Sequence, residues 1–274
     1  MDWSWEQWKR PIRNHLKYSK SLLRGYPFSY TRQQNPEQAD QYPYLWGESV
    51  TPIPDRGSPE IRQNRIWNLQ LAASRINYLR LDPQKIFSFC DRVGEPTLSN
   101  GFRAGPVFVR GEVSTGVGGG LCLLATNVFN TFLGADCQIL ERHCHSIDAY
   151  GEGRFYQLGQ DAAVAYGYKD LIVRNSSPVP LQIRFQVLPE VGKVTSSLWG
   201  KAPCQFKVKL ESTVLQEIPA PAEDGISGWI IKTVRYVRDR PNPDPDSSID
   251  SEAPETLWHP NYHATSIYQP CTRS

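Results

Sequence analysis

Four side chains near the middle of this 274-residue chain have the types and the order of a nucleophile system: Cys122, then His143 and His145, then Asp161. A cysteine attacks as its thiolate, an imidazole exchanges protons with it, and a carboxylate fixes the imidazole tautomer. Cys122 follows three consecutive glycines, Gly118, Gly119 and Gly120, in the stretch "GVGGGLCLLATNVFNTFL". Leu121, Leu124, Ala125, Val128, Phe129, Phe132 and Leu133 recur at helical spacing, so a helix starts at the cysteine and closes at Gly134. Unpaired N–H groups and the positive dipole end of a first turn lower a thiol pKa from its free value of ~8.5. The glycines leave the sulfur uncovered and can aim N–H groups at a developing oxyanion.

The two histidines stand two apart in "ERHCHS", so in a strand both project from one face with Cys144 on the other; Asp161 opens the next strand in "GQDAAVAY". The same residues have two other readings. A His-x-His pair is a metal-ligand geometry that Cys122, Cys137 or Cys144 could complete, although the CxxC or HxxxH spacing of robust sites is missing and no metal is expected. A cysteine in a buried helix can also be a small hydrophobe and nothing more. Phosphate binding is excluded by residue type: Leu121 and Cys122 stand where a Walker loop needs lysine and Ser/Thr, and the glycine spacing is not that of a dinucleotide fingerprint. No cofactor is expected.

The surrounding elements must position these groups. Ile66, Leu69, Ala73, Ile76 and Leu79 predict a helix ending ahead of Pro83, "KIFSFCDRVG" a short strand, and Val107–Val109 another. "CQILERHCHSIDAY", "DAAVAYGYKDLIVRN", "LQIRFQVLP" and "CQFKVKLEST" read as further strands, while residues 25–60 read as irregular. Helices early and strands late, without alternating βαβ units, give an α+β fold with a mixed or antiparallel sheet and a core helix starting at a Gly-Gly-Gly-x-Cys turn. Residues 1–59 form a basic, aromatic extension, 60–238 the main domain, and 239–274 an acidic linker and tail, with six acids and one arginine between Asp239 and Glu255.

Composition is that of a globular protein, with 39% hydrophobic and 21% charged residues and a net charge of +2. The N-terminal stretch lacks the apolar run of a signal peptide, and six scattered cysteines suggest reduced thiols, so a cytoplasmic protein is expected. Residues 1–24 carry six Lys/Arg against two acids beside Trp3, Trp5 and Trp8; they suit either a helix packed on the domain or weak contact with an anionic membrane surface. No nucleic-acid partner is expected, since basic residues do not cluster with stacking aromatics elsewhere.

The stretches "RIWNLQLAASRINYLRLDPQKIFSF", "GGGLC", "ERHCHS" and "GQDAAVAYGYKDLIVRN" together resemble the VanW family, named after an accessory protein of certain vancomycin-resistance clusters, over roughly Asn64 to Val187. Gly118 to Gly120, Cys122, Glu141, Arg142, His145, Ser146 and Asp161 match its pattern; Leu123 replaces the glutamine that commonly follows the cysteine. The resemblance implies a link to cell-wall peptidoglycan or the glycopeptide response. The order of cysteine helix, histidine strand and aspartate strand is also similar to transglutaminase-like and NlpC/P60-like folds, an analogy of arrangement. Two functions follow as expectations. One is a thiol enzyme acting on an amide (a peptidase, amidase or acyl transferase), with Cys122 as nucleophile, His145 as base and Asp161 orienting it. His143 stands behind His145, or replaces it in another strand register, and Gly118–Gly120, Glu141, Arg142 and Ser146 line the cleft. The other is a non-catalytic accessory protein holding a peptidoglycan precursor or another peptide in the same cleft.

Overall fold

A computed structural model describes residues 17–109, 112–240 and 257–272. The chain is α+β, and among the described residues every ladder between two strands is antiparallel, with isolated parallel bridges at Tyr30–Ile86 and Ile147–Gln269. Strands β1 (Tyr44–Pro52), β2 (Leu79–Leu81), β8 (Leu181–Leu188) and β9 (Lys193–Gly200) form one sheet in the order β1-β9-β8-β2. A second sheet runs β3-β7-β6, from Ile86–Ser88, Ile172–Arg174 and Gln138–Glu141. A third runs β10-β11-β12, from Phe206–Ile218, Gly228–Asp239 and His259–Tyr268, and β4 (Ala104–Val109) pairs with β5 (Glu112–Val117) in a hairpin. Strands from both flanks of residues 60–238 thus complete the sheets.

Helix α1 (Pro59–Ile76) starts where Ser58 accepts the Ile61 N–H and Pro59 supplies a preset φ. It ends at Ile76, earlier than Pro83 suggests, because Tyr78 takes a left-handed φ of 58° and swings the chain into β2. The stretch expected to be one strand at "KIFSFCDRVG" is β3 followed by a short helix, α2 (Phe89–Val93). Ser88 caps that helix by accepting the Asp91 N–H. β1 also corrects the expectation of an irregular 25–60 segment: its alternation of exposed and buried residues is partial, so pattern alone does not reveal it.

Helix α3 (Leu121–Gly134) packs against β1, β9 and α1. Leu124, Val128, Phe132 and Leu133 are fully buried with Leu69 and Ile76 of α1 and Leu181, Ile183 and Leu198 of the sheet. Each such side chain contributes about 1.5–3 kcal/mol. The polar residues of this buried helix are tied down: Asn127 donates to the Ser49 and Val194 carbonyls, and the Thr131 and Ser196 hydroxyls lie 2.6 Å apart. These bonds fix the helix in rotation as well as position, and so fix where its first turn points.

Of the N-terminal segment, residues 17–23 are helical and residues 1–16 lie outside the described residues; so do residues 241–256 of the acidic stretch. No helix among the described residues is long and apolar enough to cross a membrane.

Candidate active site

Gly120 is the N-cap of α3 with φ 101°, and Gly118 has φ 89°, conformations that side-chain-bearing residues rarely adopt. Space is also short: a Cβ on Gly118 would sit 2.5 Å from Cβ of Pro96, and one on Gly120 3.1 Å from Cγ of Arg65. Gly118→Ala should therefore destabilise the protein by about 1–3 kcal/mol, read as a lowered urea midpoint. The Leu121 N–H reaches the Gly118 carbonyl at 3.4 Å and Leu123 N–H the Gly120 carbonyl at 3.0 Å. The Cys122 N–H finds no main-chain acceptor among the described residues. Leu123 is 3% exposed and belongs to the core, so position 123 faces away from the cleft and its side chain cannot supply an oxyanion donor. Any such donor at this turn is main-chain.

Cys122, in the first turn of α3, is partly exposed and receives the Val164 N–H at 3.5 Å. The thiol donates to the Val164 carbonyl at 3.6 Å, and the His145 imidazole is near enough for the two side chains to shift each other's protonation. On the other side of the ring, Nδ1 of His145 lies 2.5 Å from Oδ2 of Asp161, which also accepts the His145 main-chain N–H at 2.7 Å. With Nδ1 held, Nε2 is the nitrogen left to address the sulfur. Tyr156 stacks on the imidazole at 5.7 Å between centroids.

Asp161 is wholly buried. Its Oδ1 accepts from Arg142 Nη2 and from the Tyr268 hydroxyl, each at 2.6 Å. Arg142 also donates to the Asp161 and Gly159 carbonyls and to the Ser266 hydroxyl. Burial raises the Asp161 carboxyl, but His145, Arg142 and Tyr268 outweigh it and hold it down at about 2. Burial likewise opposes charge on His145, and its interactions with Asp161 and Cys122 prevail, lifting it to about 10. The Cys122 thiol is lowered: burial works against the thiolate, while His145 and the Val164 N–H overcome it. Both shifts favour a thiolate–imidazolium pair at neutral pH.

The expected strand through "ERHCHS" ends at Glu141, and both histidines sit in irregular chain. Their rings take different partners. His143 turns to Glu141, 3.0 Å away, and stays partly exposed; Glu141 in turn accepts from Lys17 at 2.7 Å and from the Asp170 N–H. Glu141 therefore pairs with His143 and Lys17, while Arg142 serves Asp161. Ser146 is exposed, and its carbonyl receives the Gln269 N–H. Nor does Asp161 open a strand: residues 161–164 bond to α3 and to the His143 carbonyl instead of to a neighbouring strand. Among the described residues no three His, Cys, Asp or Glu side chains gather where they could hold a metal ion. An open groove of about 510 Å³ runs between Ile139–Ser146 and Tyr262–Ile267, with both histidines in its wall; Cys122, Asp161 and the glycine turn do not line it. Tyr156, Tyr268 and Ser266 join the site without any local sequence signal.

Residues 64–199 match the model of a family described as "VanW like protein". This segment contains the glycine turn, α3, both histidines and Asp161. The chain is 34% identical over 122 residues to the "Uncharacterized protein YoaR" of Bacillus subtilis (strain 168), covering 44% of this chain and 39% of that protein. It is 31% identical over 123 residues to the "Vancomycin B-type resistance protein VanW" of Enterococcus faecalis (strain ATCC 700802 / V583), covering 44% of this chain and 45% of that protein. The chain thus spans less than half the length of either relative. No solved structure matches it. Through the domain formed by residues 64–199, the chain belongs to the VanW-like family.

Proposed function

We propose that this VanW-like domain is a cysteine-dependent amide-bond enzyme: a peptidase, an amidase or an acyl transferase. The observation that carries the reading is the grouping of Cys122, His145 and Asp161: a sulfur at a helix start, lowered by an imidazole whose Nδ1 is held by a buried carboxylate. In the reaction, the Cys122 thiolate adds to the amide carbonyl, and the Cys122 N–H, which has no main-chain acceptor among the described residues, donates to the oxyanion. The imidazolium of His145 gives its proton to the departing amine as the C–N bond breaks, leaving a thioester. Neutral His145 then takes a proton from water or from a second amine, whose attack releases the acyl group and restores the thiol. The arrangement is analogous to transglutaminase-like and NlpC/P60-like enzymes. The resistance protein among the relatives motivates a cell-wall peptide as substrate class.

Alkylation at pH 6–7 followed by peptide mapping tests the nucleophile. Cys122 should react ahead of Cys90, Cys137, Cys204 and Cys271, whose thiols are all pushed up by burial, Cys137 to about 12. Preferential labelling of Cys90 or Cys204 would remove the basis for a thiol enzyme.

A further inference from the structure

Against the glycine turn that leads into Cys122 stands a second group of residues that the reaction above does not use. Arg65 of α1 is buried, its Cγ lying against Gly120, and its guanidinium donates to the carbonyls of Pro54 and Arg56. Arg65 thereby ties the loop before α1 to the glycine turn. The loop presents Arg56, an exposed residue whose guanidinium lies over the Tyr150 ring at 5.2 Å. Tyr150 is close enough to Cys122 for the two to interact electrostatically. The neighbouring acid, Asp55, is drawn to Arg62 at 3.1 Å, and no carboxylate among the described residues pairs with Arg56. Gly153 makes room for this arginine: its φ is not in the left-handed region, yet a Cβ there would come within 2.5 Å of Arg56 Nη2. An exposed guanidinium near the glycine turn, with no described carboxylate paired to it, is a fork for a carboxylate from outside.

We propose that Arg56 anchors a carboxylate on the substrate, so that the enzyme selects peptides bearing a free carboxylate beside the amide that Cys122 attacks. Arg65 positions the loop, and Gly153 leaves the guanidinium its place. This rests on Cys122 being the nucleophile, and the test separates the two claims. The probes are iodoacetate and iodoacetamide, which alkylate a thiolate by the same displacement of iodide and differ in carrying a carboxylate or an amide. The readout is the ratio of their rate constants at Cys122 in the full chain. Arg56→Gln should lower the iodoacetate-to-iodoacetamide ratio about fivefold, the effect of one unit charge a few ångströms away in water. Arg56→Lys should keep most of the ratio. Gly153→Ala, which displaces the guanidinium without removing its charge, should lower it in between. The wild-type preference should also shrink in ~1 M salt, where the Debye length is about 3 Å. An unchanged ratio in Arg56→Gln, with Cys122 still labelled, overturns the anchor alone; failure of both reagents to label wild-type Cys122 overturns the nucleophile and the anchor together.

Discussion

His145→Ala should slow alkylation of Cys122 at pH 6.5 by about a hundredfold, because a thiol with an ordinary pKa of ~8.5 is only about 1% thiolate there. In the wild type the imidazolium sustains the thiolate, since His145 is raised to about 10 while the thiol is lowered. The pH profile carries the sign. A raised histidine contributes its partner charge fully below about 6.5 and loses it as pH climbs through about 10; a lowered thiol keeps its charge until pH falls through its depressed value. Wild-type alkylation should therefore rise early and level off through neutrality, whereas the alanine variant should show one limb near the ordinary thiol value. His143→Ala should follow the wild-type curve, because that ring is committed to Glu141. Matching profiles for wild type and His145→Ala would exclude the thiolate–imidazolium pair.

Asp161→Ala should destabilise the fold by about 3–5 kcal/mol, the usual cost of removing one partner of a buried ion pair. The side chain of Arg142 is only 5% exposed and would keep its charge without the carboxylate, and the Tyr268 hydroxyl would lose its acceptor. Asp161→Asn retains the shape and one acceptor oxygen, so its loss should be smaller while the tautomer control over His145 is still gone. A carboxyl lowered from 3.8 to about 2 contributes stability above about pH 4 and loses it as pH falls through about 2. Urea unfolding between pH 2 and 7 checks both points: the wild type should weaken toward the acid end, and the Asp161→Ala curve should be flatter across that range. Wild-type stability in Asp161→Ala would mean that Arg142 is satisfied without it.

What could be read from the sequence was what depends on local pattern. The apolar spacing from Leu121 to Leu133 gives the helix and its start, and the helix start gives Cys122 its place. The histidines show the limit. Two-residue spacing puts both on one face only if the chain is a strand, and here it leaves β6 after Glu141 because Asp161 takes the His145 N–H and the Ala163 N–H takes the His143 carbonyl. Those partners are long-range, so no window around "ERHCHS" contains them. Arg142 stands next to Glu141 in sequence, yet its buried guanidinium spans from Asp161 to Ser266, which lies 124 positions along the chain. The short helix α2 was hidden for a different reason: its five residues are too few to show a helical period, and only the capping serine marks it.

The strand β12 closes the site from far along the chain. Cys122, His145 and Asp161 are all in place by residue 161, but the hydroxyls that steady the carboxylate and its arginine belong to Tyr268 and Ser266. A chain emerging from the ribosome therefore carries every reacting group more than a hundred residues before it carries the clasp that holds them. Until β12 docks beside β11, Asp161 and Arg142 face an unfinished wall, and a protease cutting between those two strands would leave the three reacting residues uncut and their support held by strand pairing alone.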